Sequence, residues 1–139
     1  MKPAPVFEKK FKKASDALQA ALGLFRNPKR WTQGHLAISD GYACSTKSKN
    51  AEAFCALGAV KRVNGPAEKS ATAFLREAAK QILIDSKMYP VVAITEKPKN
   101  EHIFTLNDYV EDSPNSNKTL NKVRKMFRLA IKNAKLAEN

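Results

Sequence analysis

One cysteine lies where a reactive thiol could stand. Cys55 falls within AEAFCALGAVKR, positions 51–62, among small and apolar residues. A nucleophilic thiol needs a neighbouring base or a helix N-terminus to become a thiolate, and Cys55 stands about one turn into a predicted helix. It also falls on an apolar helical stripe, and a free cysteine behaves as a small buried hydrophobe. We therefore predict that Cys55 is a core residue, and we keep a Cys55-dependent enzyme as an alternative.

The other cysteine and the two histidines form no recognisable metal motif. Cys44, His35 and His102 match no zinc spacing and no disulfide framework. Neither histidine is placed beside Cys55 by its position in the sequence. We predict free thiols, no metal, no cofactor and no catalytic residue, and so a protein that is not an enzyme.

Two polar segments have the composition of a ligand contact or of a structural cap. Trp31, Thr32 and Gln33 follow the first predicted helix and could contact a ligand or hydrogen-bond a loop. Asn107 and Asp108 have short side chains that cap helices or close Asx turns. The sequence places no histidine, metal or second carboxylate beside Asp108, so we predict the capping role.

Gly58 is an unusual residue for the middle of a predicted helix. Glycine there costs about 1 kcal/mol relative to alanine, which suggests that a backbone or a bulky ring approaches closely. Trp31, the single tryptophan, is the ring we expect to contact it.

The basic residues are concentrated at the two ends of the chain. The net charge is +12, with eight basic and two acidic groups in residues 1–30, and seven basic groups and one acidic group in residues 117–139. Residues 31–116 hold ten of each sign. The whole excess of positive charge therefore belongs to the terminal segments.

The last predicted helix carries only basic charges on its polar face. No acidic residue precedes Glu138 in this helix, although helices usually mix the two signs to relieve repulsion. Its basic residues are Lys118, Lys122, Arg124, Lys125, Arg128, Lys132 and Lys135, and Lys9, Lys12 and Lys13 accompany them at the other end of the chain. Such a face binds phosphates by releasing condensed counterions. A solvated face that only prevents aggregation is the alternative.

The spacing of apolar residues predicts four helices. They cover about residues 5–25, 51–63, 66–85 and 118–136. An Asp40-Gly41 turn predicts a small hairpin, and Met88–Thr95 and Ile103–Leu106 are predicted to be extended. The 139 residues suit one domain. We therefore predict a mainly α, compact single domain of about four helices with short extended pieces.

No stretch approaches the roughly 18 apolar residues that cross a bilayer. Free thiols are typical of a reducing compartment. We therefore expect a soluble, cytoplasmic protein without a membrane span. Its oligomeric state is left open.

Four motifs follow one another along the chain: WTQG at 31–34, FCALGAV at 54–60, LND at 106–108 and the final VRKMFRLAIK helix. In this order they resemble an uncharacterised family of small, mainly helical bacterial and bacteriophage proteins. The resemblance covers about residues 15–134. It implies packing roles for Trp31, Cys55, Gly58, Asn107 and Asp108, and it brings no activity with it.

Our leading hypothesis is a non-enzymatic accessory protein that binds a polyanion through its terminal helices. RNA or DNA is the expected partner, bound with weak sequence specificity, because the chain lacks a series of base-stacking aromatics and any known nucleic-acid-binding motif. The rival is a bacteriophage interaction factor that binds or blocks a host protein, for example through an acidic protein surface.

Overall fold

The computed structural model describes residues 1–88, 96–111 and 117–139. It is mainly helical, as predicted. There are five α-helices in these residues where the sequence predicted about four, and a small three-stranded sheet. The helices are α1 (Ala14–Leu24), α2 (Ala56–Val63), α3 (Glu68–Asp85), α4 (Asn100–Asn107) and α5 (Lys118–Glu138), and the strands are β1 (Ala37–Ser39), β2 (Tyr42–Ala43) and β3 (Ala53–Phe54).

The first helix is shorter than predicted, because residues 1–13 form an irregular arm instead of its first turns. The backbone N–H of Ala4 donates to the carbonyl of Ala51 at 2.8 Å. The Arg30 guanidinium donates to the carbonyls of Lys2 and Pro3. These bonds pair one N–H and two carbonyls of the arm without a helix, and its Phe7 and Phe11 still pack against the core. Burial of these rings explains why the sequence pattern looked helical.

A buried arginine also holds the arm. Arg62 is 4% exposed, and it donates to the carbonyls of Ala4, Pro5, Thr46 and Ser48. Burial lowers the pKa of its guanidinium. The arm and the loop before β3 are thus fastened to α2 through one side chain.

The second helix begins at Ala56, five residues later than predicted, because β3 precedes it. β1 lies between β2 and β3 and pairs antiparallel with both. The predicted Asp40-Gly41 hairpin is confirmed: both residues have positive φ, 50° and 80°, as a tight type I′ connection requires.

The third and last helices lie where the sequence predicted them, within two residues at each end. α5 packs against both α1 and α3. Phe25 and Phe127 meet edge to face between α1 and α5, with ring centroids 5.8 Å apart. The core therefore lies between the long helices, with the sheet to one side of α2.

The prediction of an extended piece at Ile103–Leu106 is wrong, since these residues lie in α4. Ile103 and Leu106 are both buried, and a spacing of three places them on one helical face. A four-residue run with three apolar residues fits strand and helix equally well. The other predicted extended piece, Met88–Thr95, lies outside the described residues except for Met88.

None of the helices within residues 1–88, 96–111 and 117–139 is long and apolar enough to cross a membrane.

Candidate functional site

Asn107 is the centre of a buried hydrogen-bond network. Its side chain is fully buried. Its Oδ1 accepts from Trp31 Nε1 at 2.8 Å and from the backbone N–H of Ala56 at 2.9 Å. Its Nδ2 donates to the carbonyl of Thr32 at 3.1 Å and to Asp108 Oδ1 at 2.9 Å. We call these five residues the Asn107 network; all four bonds of the amide are made inside the protein.

The network joins the ends of two helices. Asn107 is the last residue of α4, and Ala56 opens α2, so the amide oxygen pairs one of the backbone N–H groups that a helix N-terminus leaves free. The sequence predicted capping for Asn107 and Asp108, but in a local turn. The capped helix instead begins 51 residues earlier in the chain. Asp108 follows as the C-cap residue of α4.

The WTQG and LND motifs meet beside this network. Gln33 Nε2 donates to the carbonyls of Asn107 and Tyr109, at 3.0 and 2.9 Å. The backbone N–H of Gly34 donates to Asp108 Oδ1 at 3.0 Å. Two motifs that lie more than 70 residues apart in the sequence are thus parts of one junction.

Close approach at Gly58 is confirmed, but the neighbour is not Trp31. A Cβ built on Gly58 would lie 1.8 Å from the carbonyl oxygen of Leu36. The indole of Trp31 instead reaches Asn107. Only a residue without a side chain lets the loop before β1 cross α2 at this distance.

Cys55 is 2% exposed, and its thiol lies at the start of α2 instead of one turn inside it. Its Sγ accepts from the backbone N–H of Gly58 at 3.4 Å. Burial raises the pKa of this thiol, the charge of Asp108 raises it further, and the hydrogen bond from Gly58 acts against both. The thiol is therefore protonated at neutral pH and is not an activated nucleophile in this state.

A cavity of about 360 Å³ opens beside Cys55. It is lined by Gly34, His35, Leu36, Cys55, Phe104 and Asp108. No local pattern in the sequence groups these residues, because they come from a loop, a helix start and both sides of the α4 C-terminus. Within the described part of the chain, no three His, Cys, Asp or Glu side chains are placed to hold a metal ion.

The second candidate region is the outer side of α5. Its apolar side is buried against α1 and α3. The opposite side carries six basic residues that are exposed or half-buried, which we call the basic face: Lys118, Lys122, Lys125, Arg128, Lys132 and Lys135. Ion pairs between described residues involve Glu52, Glu68 and Glu96, and none of them includes a residue of the basic face.

Arg124, which was predicted to belong to this surface, has a structural contact instead. Its guanidinium donates to the carbonyl of Phe25 at 2.7 Å and to Asn121 Oδ1 at 2.9 Å. Phe25 follows the last residue of α1, so Arg124 satisfies a free carbonyl at that helix end. It is less available to a partner than its neighbours.

The predicted basic residues of the N-terminus, Lys9, Lys12 and Lys13, are exposed on the irregular arm. They were expected on a helix. At the start of α1, Ser15 donates to the carboxylate of Glu138, while the other end of α1 meets Arg124. α1 therefore runs antiparallel to α5, which places Lys12 and Lys13 near the C-terminal end of the basic face.

A shallow groove of about 300 Å³ lies at the N-terminal end of the basic face. Ser86, at the end of α3, forms one side of it. The other lining residues are Lys118, Asn121, Lys122 and Lys125. Three ammonium groups with an amide and a hydroxyl are the donor set that surrounds a phosphate.

Comparison with known proteins identifies a family. No curated protein and no solved structure matches the chain. The model of a family of unknown function, DUF6197, matches residues 11–133, which include the whole Asn107 network and most of α5. The predicted membership of an uncharacterised family is confirmed, whereas the bacterial or bacteriophage origin stays a prediction. The chain belongs to the DUF6197 family of unknown function.

Proposed function

We propose that this protein is a non-enzymatic accessory protein that binds a polyanion, the backbone of RNA or DNA, through the basic face of α5. The observation that carries the proposal is the sign of the charges on that face. Six basic side chains point away from the core. The first acidic residue of the helix, Glu138, lies at its C-terminal end and accepts a hydrogen bond from Ser15. Like charges repel at this spacing, and a polyanion removes the repulsion.

The dimensions of the face suit a nucleic-acid backbone. Lys118 and Lys135 are 17 positions apart, which is about 26 Å along a helix. Phosphates follow each other at about 3.4 Å of axial rise per strand of a duplex, so a duplex segment of this length carries at least as many phosphates as the face has basic side chains. Lys12 and Lys13 on the arm extend the positive surface beyond the end of α5.

Weak sequence specificity follows from the residues on the face. Reading of bases needs side chains that pair with base edges or aromatic rings that stack on them. Phe127, the single aromatic residue of α5, is fully buried. Lysine contacts to phosphate fix position and affinity and carry no sequence information.

The experiment is a fluorescence-anisotropy titration of the protein into a labelled 20-base-pair duplex and a labelled single-stranded RNA. The salt concentration is set to 50 and then 200 mM. For six phosphate contacts, affinity should fall by about 10³-fold between these conditions. Absence of binding at 50 mM contradicts the proposal.

An acidic protein surface is the other partner that could occupy the same face. Affinity purification from native cells, with and without nuclease, separates the two. Partners that disappear after nuclease treatment indicate nucleic acid. An acidic protein that persists indicates the interaction factor, for which a bacteriophage origin is part of the hypothesis.

A further inference from the structure

The cavity beside Cys55 has the size and position of a small-molecule site. Its volume of about 360 Å³ lies within the roughly 300 to 1,000 Å³ that such sites occupy. It is formed where the loop before β1, the start of α2 and the end of α4 meet. None of its lining residues belongs to the basic face, so a ligand in this cavity would be distinct from a polyanion on α5.

Most of the wall is apolar. Leu36 is 38% exposed, and Phe104 is half-buried on α4. The buried, protonated thiol of Cys55 adds a soft and uncharged surface. An apolar body of the ligand would bury carbon surface that water now covers, and removal of that surface from water favours binding.

Asp108 supplies a negative charge at the edge of this wall. Its Oδ1 is held by the backbone N–H of Gly34 and by Nδ2 of Asn107. Its Oδ2 accepts no hydrogen bond from any described residue. The carboxylate is therefore fixed in orientation with one oxygen available, and fixed acceptors bind a ligand without an ordering cost.

Asp108 and Cys55 line the same cavity. Burial is the main cause of the raised pKa of the Cys55 thiol, and the negative charge of Asp108 raises it slightly further. An anionic ligand would be repelled by the same carboxylate. A metal ion lacks ligands, since no group of three suitable side chains occurs among the residues described.

We propose that this cavity binds a small organic cation, a protonated amine or amidine on an apolar body. The cation donates to Asp108 Oδ2, and the apolar body packs against Leu36 and Phe104. The hydrogen bonds from Gly34 and Asn107 to Oδ1 fix the Asp108 carboxylate in the orientation that this contact needs. The inference does not depend on nucleic-acid binding by α5.

The test compares three ligands that share a phenyl ring and differ in charge. Phenethylamine, 2-phenylethanol and phenylacetate are titrated into the ¹⁵N-labelled full chain, and amide shifts are followed by NMR. Phenethylamine should shift the amides of Gly34, Leu36, Cys55 and Phe104 saturably. It should bind about tenfold more tightly than the alcohol, the value of one charge-assisted hydrogen bond, and phenylacetate should bind most weakly. Equal or tighter binding of the alcohol or of phenylacetate overturns the proposal, as does the absence of saturable shifts at these amides up to about 10 mM.

Two variants locate the charge. Asp108→Asn keeps an oxygen for Gly34 and Asn107 and removes only the charge, so affinity for phenethylamine should fall about tenfold. Asp40→Asn removes the same charge from the β1–β2 turn, where asparagine accepts the positive φ, and should leave the affinity unchanged. Unchanged binding by Asp108→Asn, or an equal loss in both variants, contradicts the proposal. The ligand series in the native chain decides the question alone if Asp108→Asn does not fold.

Discussion

The Asn107 network and the basic face of α5 use polar side chains in opposite ways. The network is buried, and both polar atoms of the Asn107 amide have hydrogen-bond partners inside the chain. The basic face is at the surface, and ion pairs between described residues leave its charges unmatched. A buried polar group needs a hydrogen-bond partner within the fold, whereas an exposed charge is solvated by water and stays available to a binding partner. The buried polar residues of the Asn107 network therefore stabilise the structure, and the exposed basic residues of α5 carry the proposed function.

The largest effect on stability should come from Asn107→Ala. The substitution leaves the half-buried indole N–H of Trp31 and the buried N–H of Ala56 without acceptors, and each unpaired donor costs about 1 to 3 kcal/mol. We expect the free energy of unfolding, measured in urea, to fall by about 3 to 5 kcal/mol. Asn50→Ala, at an exposed loop position, is the control and should change it by less than about 0.5 kcal/mol. A loss below about 1 kcal/mol at Asn107 would show that the network is not structural.

Two glycines in helices should respond in opposite directions to alanine. Gly58→Ala places a methyl group on the Leu36 carbonyl, which lies 1.8 Å away, and should destabilise the protein by about 1 to 3 kcal/mol. Gly23 has open space around its Cβ position in α1. Gly23→Ala should stabilise it by about 0.5 to 1 kcal/mol. Thermal unfolding of both variants checks the pair, and equal shifts in the midpoint would refute the close contact at Gly58.

A smaller effect should depend on pH at the junction of α1 and α5. Two hydrogen bonds from Ser15 lower the pKa of the Glu138 carboxyl below its usual 4.5. A lowered pKa means that this group stabilises the fold above pH 4.5, and that the contribution disappears as the pH falls through the folded-state value. Glu138→Gln should therefore melt slightly below the native chain at pH 7, with the difference vanishing in stronger acid. A constant difference across this range would show that the charge is not involved.

The sequence predicted a helix correctly where its apolar pattern was local, and failed where contacts between distant segments decide the structure. α3 and α5 were predicted closely because long periodic stripes fix a helix without help from other segments. The first turns predicted for α1 were wrong because Arg30 and Arg62 supply donors that no local pattern reveals. α4 was missed because its apolar run is only four residues long, and such a run has no distinctive period.

The two candidate sites differ in the same respect. The basic face was visible in the sequence because one helix carries all of it. The cavity was not, since Leu36, Cys55 and Phe104 are brought together only by the fold. Arg124 is the exception on α5, as its contact with Phe25 depends on the packing of α1.

The most direct test of the central claim compares two triple variants with the same net charge. Lys125, Lys132 and Lys135 are replaced by alanine in one, and Lys47, Lys49 and Lys69, which are exposed elsewhere, in the other. Both should unfold within about 0.5 kcal/mol of the native chain. In salt titrations with duplex DNA, the first triple should lower the slope of log affinity against log salt by about three and weaken binding by at least about tenfold, while the second leaves both unchanged. Equal losses in the two triples, or none in the first, would contradict binding by the basic face of α5.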